Sequence, residues 1–184
     1  MIHHISIAAR DPQRVAAVLA ELFGGHSFPF PPFPGGYIAL PSDPLGTAVE
    51  VIPLGDELVP GAEGEQVSSR ASERPSDYTA THAAISVPVS EERIKEIAAR
   101  EGWRAETFNR IGVFGLVEFW LENRLLVELL PPEMQGQYLD FMTPENYAAL
   151  FGYEYTPRAP AEPEPVAAGA EPALQRHHGF EAFW

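Results

Sequence analysis

Met1-Ile2-His3-His4-Ile5-Ser6-Ile7-Ala8-Ala9 alternates in character, and Thr81-His82-Ala83-Ala84-Ile85-Ser86-Val87 repeats that alternation 78 residues later. In the first stretch Ile5, Ile7 and Ala9 share one face, while His4, Ser6 and Ala8 share the other. That is the period-two pattern of a strand with one apolar side. Glu50, in Thr47-Ala48-Val49-Glu50-Val51-Ile52, follows His4 by 46 residues, and Glu128, in Leu126-Val127-Glu128-Leu129-Leu130, follows His82 by the same 46. One offset therefore superposes two histidines and two glutamates.

The segments between them agree with the offset. Asp11 can cap a helix that Pro12 begins, and Val15, Val18, Leu19, Leu22 and Phe23 form its apolar stripe before Gly24-Gly25 stops it. In the second half Ser90 caps a helix whose first turn carries Glu91 and Glu92. Its stripe is Ile94, Ile97 and Ala98, and it ends at Gly102, the counterpart of Gly24. After the first helix, the run Phe28-Pro29-Phe30-Pro31-Pro32-Phe33-Pro34 permits only a short or edge strand, because proline donates nothing to a ladder. Strands are expected at 37–40 and 47–53, around the turn Pro41-Ser42-Asp43-Pro44. After the second helix they are expected at about 104–109, 113–121 and 124–130. Each half reads strand–helix–strand–strand–strand.

The expected class is α+β, with two tandem βαβββ modules and a C-terminal helical or irregular extension. The first module covers 1–53 and the second 81–132. Residues 54–80, rich in Gly, Ser, Pro and acids, read as a linker or mobile loop. Residues 133–156 read as a short helical extension, with a helix from Thr143-Pro144-Glu145 to Gly152. Residues 157–184 are a Pro/Ala/Glu-rich tail with an aromatic end, Phe180-Glu181-Ala182-Phe183-Trp184.

Composition narrows the function. A net charge of −14 with only 12 Lys+Arg speaks against nucleic acid. Cysteine is absent, which removes disulfides, thiolate metal sites and cysteine nucleophiles. Neither a signal peptide nor a membrane span is read, so the expected setting is cytoplasmic, with no membrane partner.

A glutamate between Val49 and Val51, or between Val127 and Leu129, sits in an apolar strand. Burying a lone carboxylate is costly, so such a residue needs a cation, a hydrogen-bond network or an open cavity. A lone strand histidine is ordinarily a core or edge residue, and a lone strand glutamate ordinarily faces water; four matched under one offset point elsewhere. His4, Glu50, His82 and Glu128 form a mixed N/O donor set suited to a divalent ion such as Zn, Ni, Fe, Mn or Co. His3, His26, His177 and His178 have no matched carboxylate and read as surface residues.

These residues carry a resemblance. His4-Ile5-Ser6-Ile7-Ala8-Ala9-Arg10-Asp11, its helix, and Val49-Glu50-Val51-Ile52-Pro53 look like one module of the vicinal oxygen chelate superfamily. His82 to Pro131, with Val117-Glu118-Phe119-Trp120 and Leu126-Val127-Glu128-Leu129-Leu130, looks like the second. The resemblance covers about residues 2–131. It implies curved mixed sheets forming a cleft, with metal ligands from the first and fourth strand of each module, where His4, Glu50, His82 and Glu128 stand. It further implies a glyoxalase I-like enzyme, of lyase or isomerase type, moving a proton next to a carbonyl of a small oxygenated substrate, with Glu128 or Glu50 as base. Modules of this superfamily pair within a chain or between two chains, so a homodimer is one expected state. Two alternatives from the same superfamily are a metal-free small-molecule binding or resistance protein and an extradiol-type dioxygenase. A coenzyme A substrate would want a basic patch, and only Arg10, Arg110 and Arg124 fall near the strands.

Overall fold

The computed structural model describes residues 2–41, 45–60 and 67–157. The first half runs β1 (His4–Ala9), α1 (Pro12–Phe23), β2 (His26–Pro29), β3 (Tyr37–Leu40) and β4 (Ala48–Pro53). A pair β5 (Asp56–Val59) and β6 (Ser68–Ala71) follows. The second half runs β7 (Ala83–Ser86), α2 (Glu91–Glu101), β8 (Ala105–Arg110), β9 (Phe114–Leu121) and β10 (Leu125–Leu130), before α3 (Pro132–Phe141) and α4 (Pro144–Phe151). The two halves are topologically the same: one sheet is ordered β1-β4-β3-β2 and the other β7-β10-β9-β8. In each, the first strand lies parallel to the fourth and the other pairings are antiparallel, so both sheets are mixed. The doubled βαβββ expectation holds.

Both helix starts and stops behave as their residues require. The Asp11 side chain accepts from the Arg14 N–H and the Ser90 hydroxyl oxygen accepts from the Arg93 N–H, while Gly24 and Gly102 close the two helices in the left-handed region. One apolar cluster joins the halves. Val15, Leu19 and Leu22 of α1, Ile94 and Ile97 of α2, Val51 of β4, and Val117, Phe119 and Leu129 of the second sheet are all fully buried in it. Each contributes about 1.5–3 kcal/mol by leaving water.

Polar contacts tie the halves at the rim of this core. Arg14 donates to Glu101 at 2.6 Å, and its guanidinium lies 5.5 Å from the centre of the Trp103 ring. Arg93 and Arg100 both donate to Glu21 at 2.7 Å. The buried Arg124 guanidinium donates to the carbonyls of Ala8 and Asp77, and Glu122 accepts from the Arg10 and Asp11 N–H groups at the start of α1. Hydrogen bonding from Arg100 holds the Glu21 carboxyl below its ordinary 4.5, against partial desolvation and with the help of the positive charges of Arg100 and Arg93. Its proton is bound more tightly in the unfolded chain, so this contribution is complete above about pH 4.5 and is lost as pH falls through the lower folded-state value. Glu21→Gln is therefore expected to flatten part of the acid limb of the stability profile, read from chemical denaturation between pH 3 and 6 (roughly the carboxylate range).

Two segments differ from their sequence reading. Within 54–80, read as a linker or loop, β5 and β6 form an antiparallel ladder, with Arg70 donating to Glu57 at 3.0 Å. Every residue of β6 is exposed, so no alternation marked it. The helical extension read over 133–156 begins instead at Pro132, within the bounds given to the second module, in the first turn of α3, where a missing N–H costs nothing. No residue of α3 is fully buried, but Met134, Tyr138 and Phe141 recur on one face and pack on the second sheet at Gly115 and Phe114. α4 runs from its Thr143 cap to Gly152 as expected. The tail expected over 157–184 lies outside the described residues beyond position 157. No described helix is long and apolar enough to cross a membrane.

Candidate functional site

The first module assembles its half of the expected constellation. In the parallel register of β1 and β4, Ser6 lies opposite Glu50, and His4 sits on the same face one pleat earlier. The Ser6 hydroxyl donates to Glu50 Oε2 at 2.5 Å, and His4 Nε2 stands 4.0 Å from Oε1. The Glu50 side chain is only 8% exposed, and no arginine or lysine comes within ion-pair distance of it among the described residues. A buried carboxylate with one hydroxyl donor and one imidazole is poorly compensated.

The second module is built differently at the matching place. Glu128 lies opposite Ala84 on β7 and opposite Glu118 on β9. Arg110, from the end of β8, donates through Nη2 to Glu128 at 2.6 Å and to Glu118 at 2.8 Å. Those bonds, Glu128 first, hold the Arg110 guanidinium still more firmly in its charged form. The offset that maps Ser6 onto Ala84 maps Pro32 onto Arg110 and Leu40 onto Glu118, so neither half contains the other's partners. His82 lies just before β7, with its ring Nδ1 3.0 Å from the Ala80 carbonyl oxygen.

His82 and His4 nevertheless meet one cavity. A cleft of about 820 Å³ opens between β1 and β7, the edge strands of the two sheets, and His3, His4 and His82 line it. Thus the structure joins His4 to Glu50, sets His82 on the cleft that His4 lines, and places Glu128 in an ion pair. No three of the histidine, aspartate and glutamate side chains converge as a metal-binding group among the described residues. His4 and Glu50 fit a divalent ion by donor type, with Ser6 as the outer hydrogen bond that orients a ligating carboxylate. Glu128 is of the same donor type, and in this structure its charge is answered by Arg110.

Ser6, Arg110 and Glu118 were not singled out from the sequence. Ser6 carried a readable signal, since it shares the His4 face. The other two did not, because only strand register brings residues 110, 118 and 128 together.

The topology is doubled, with His4 at the start of β1, His82 just before β7, and each glutamate on the fourth strand of its module. The chain resembles the vicinal oxygen chelate superfamily in fold. The solved structures similar to it include fosfomycin resistance proteins and an integron cassette protein. The fosfomycin resistance protein FosX from Mesorhizobium loti matches at 14% identity and a TM-score of 0.43, over 70% of this chain and 88% of that one. A mutant of FosX from Listeria monocytogenes, complexed with Mn(II) and 1S,2S-dihydroxypropylphosphonic acid, matches at 16% identity and 0.47, over 76% and 96%. An integron cassette protein from the mobile metagenome of the Halifax Harbour sewage outfall matches at 12% identity and 0.45, over 70% and 96%. Identities this low carry nothing about chemistry. No protein-family model and no curated protein matches the sequence.

Proposed function

We propose that the protein is a divalent-metal-dependent enzyme of vicinal oxygen chelate type that moves a proton next to a carbonyl of a small oxygenated substrate, with Glu50 as the base. The observation that carries this reading is the buried Glu50 carboxylate, which faces His4 and Ser6 and, among the described residues, has no arginine or lysine within ion-pair distance. Its counterpart Glu128 is neutralised and turned toward Arg110, which suits it less to accept a proton or a metal. His4 and Glu50 would hold the ion, with His82, on the cleft that His4 lines, as the further donor. When bound, the ion supplies positive charge to an oxygen that becomes negative as the proton leaves. Ser6 keeps Glu50 oriented, and the Glu50 side chain is largely shielded from bulk water, being only 8% exposed.

Metal content of protein purified without chelator tests the reading. Near-stoichiometric metal is expected in the native chain, a clear loss in His4→Ala and Glu50→Ala, and retention in Glu128→Ala. Absence of metal from the native chain, or equal retention in all three variants, would sink it. The metal-free alternative has an observation of its own, the diversion of Glu128 into an ion pair. It predicts ligand-induced thermal stabilisation that survives EDTA.

A further inference from the structure

Arg124, just before β10, carries a buried positive charge that the fold answers only in part. It is 5% exposed, and its guanidinium donates to the carbonyl oxygens of Ala8, Ser76 and Asp77. Those acceptors are neutral. Among the described residues no carboxylate lies within ion-pair distance of it, and its buried Nε–H has no acceptor. Such a guanidinium is satisfied in much of its hydrogen bonding and unbalanced in charge. It lines a pocket of about 250 Å³ bounded by β1 at Ser6, Ile7 and Ala8, by the turn into β5, and by residues of the segment 72–81. Ser6, Ser72, Ser76, Thr79 and Thr81 line it too, which makes its rim rich in hydroxyl groups. Its two acidic residues differ in their surroundings. Glu57 is paired with Arg70 at 3.0 Å, whereas Asp56 has no cationic side chain within ion-pair distance among the described residues. The pocket is separate from the cleft that His4 and His82 line, and Ser6, which donates to Glu50, is the residue that joins the two regions.

Arg124 and Asp56 thus bring opposite charges to one pocket without pairing with each other. A simple anion would answer Arg124 but meet Asp56, and a simple cation would do the reverse. A molecule bearing both signs answers both, and being neutral overall it is not repelled by a chain of net charge −14. The volume falls below the roughly 300–1,000 Å³ of pockets for drug-sized ligands, so the occupant is compact. We propose that this pocket binds a small zwitterion of the α-amino-acid class, its carboxylate at Arg124 and its ammonium at Asp56. The serine and threonine hydroxyls supply neutral hydrogen bonds around those two anchors.

Titration calorimetry on the full chain, with alanine, serine and threonine as probes, tests the proposal. At least one is expected to bind. It is then compared with the matching acid that lacks the amine and the matching amine that lacks the carboxyl, as propionate and ethylamine match alanine. Each analogue is expected to bind at least about tenfold more weakly, because one charge in the pocket is left without its partner. Arg124→Met is expected to abolish binding of the amino acid. Because that guanidinium also holds three backbone carbonyls, Asp56→Asn is the second variant and decides the matter should Arg124→Met fail to fold. It is expected to weaken the amino acid at least about tenfold and to leave the acid analogue no weaker, a split that a purely structural role for Asp56 does not produce. Binding of none of the three amino acids, analogues that bind as tightly as the amino acid, or unchanged affinity in either folded variant would overturn the proposal.

Discussion

Glutamine in place of Glu50 is expected to slow proton transfer by about 10²–10⁴-fold, the usual contribution of a positioned general base. The same change should leave the fold almost untouched. The Ser6 hydroxyl, which donates to Glu50 Oε2 at 2.5 Å, can donate equally to a glutamine amide oxygen, and the side chain keeps its volume between Val49 and Val51. Burial of a neutral amide also costs less than burial of a carboxylate, so the melting temperature should hold or rise slightly. Rate and stability are thereby separable in one variant. Exchange of the substrate C–H for deuterium, followed by NMR, reads the rate, and a thermal melt reads the fold. Glu128→Gln supplies the contrast, since Glu128 is held by Arg110 at 2.6 Å and should matter far less to the rate. Equal losses in the two variants would return both glutamates to the same standing.

Phe119→Ala is expected to destabilise the protein by about 3–5 kcal/mol, the cost of removing a large ring from a core that cannot collapse around the void. Phe119 is fully buried and meets the Trp103 ring edge-on, with centroids 5.9 Å apart. Trp103 in turn carries Arg14 of α1 on its other contact surface. The cavity therefore opens between the two modules, inside the cluster that both helices share. Tryptophan fluorescence, to which Trp103 and Trp120 of the second module contribute two of the chain's three tryptophans, and far-UV circular dichroism, which reports on both modules, should fall together at a lower temperature. Two separated transitions would show that each module has a core of its own and that the shared cluster contributes little.

Much of the fold was legible because a duplicated module repeats its register whatever its residues do. The alternation around His4 and His82, the caps at Asp11 and Ser90, and the stops at Gly24 and Gly102 are local signals, set by backbone sterics and by the need to satisfy helix ends. β6 escaped for the opposite reason: all its residues are exposed, and hydrophobic periodicity reveals only elements with an inside. Among the chemical residues, Ser6 could have been found, because a period of two places it on the His4 face. Arg110 could not. Its partners are 8 and 18 residues away on neighbouring strands, and only the pairing of β8, β9 and β10 brings one guanidinium between two carboxylates.

The sequence by itself determined the class, the order of elements within each module, the two matched histidine–glutamate pairs and the absence of cysteine. Each of these follows from residue type and spacing along one chain. The tertiary structure decided that the pairs are not equivalent. Glu50 is left with an imidazole and a hydroxyl, while Glu128 is neutralised, although the two share spacing, strand position and flanking residues. Charge compensation acts through space over a few ångströms, so a repeat in sequence can carry two different sites once different strands bring different neighbours to it.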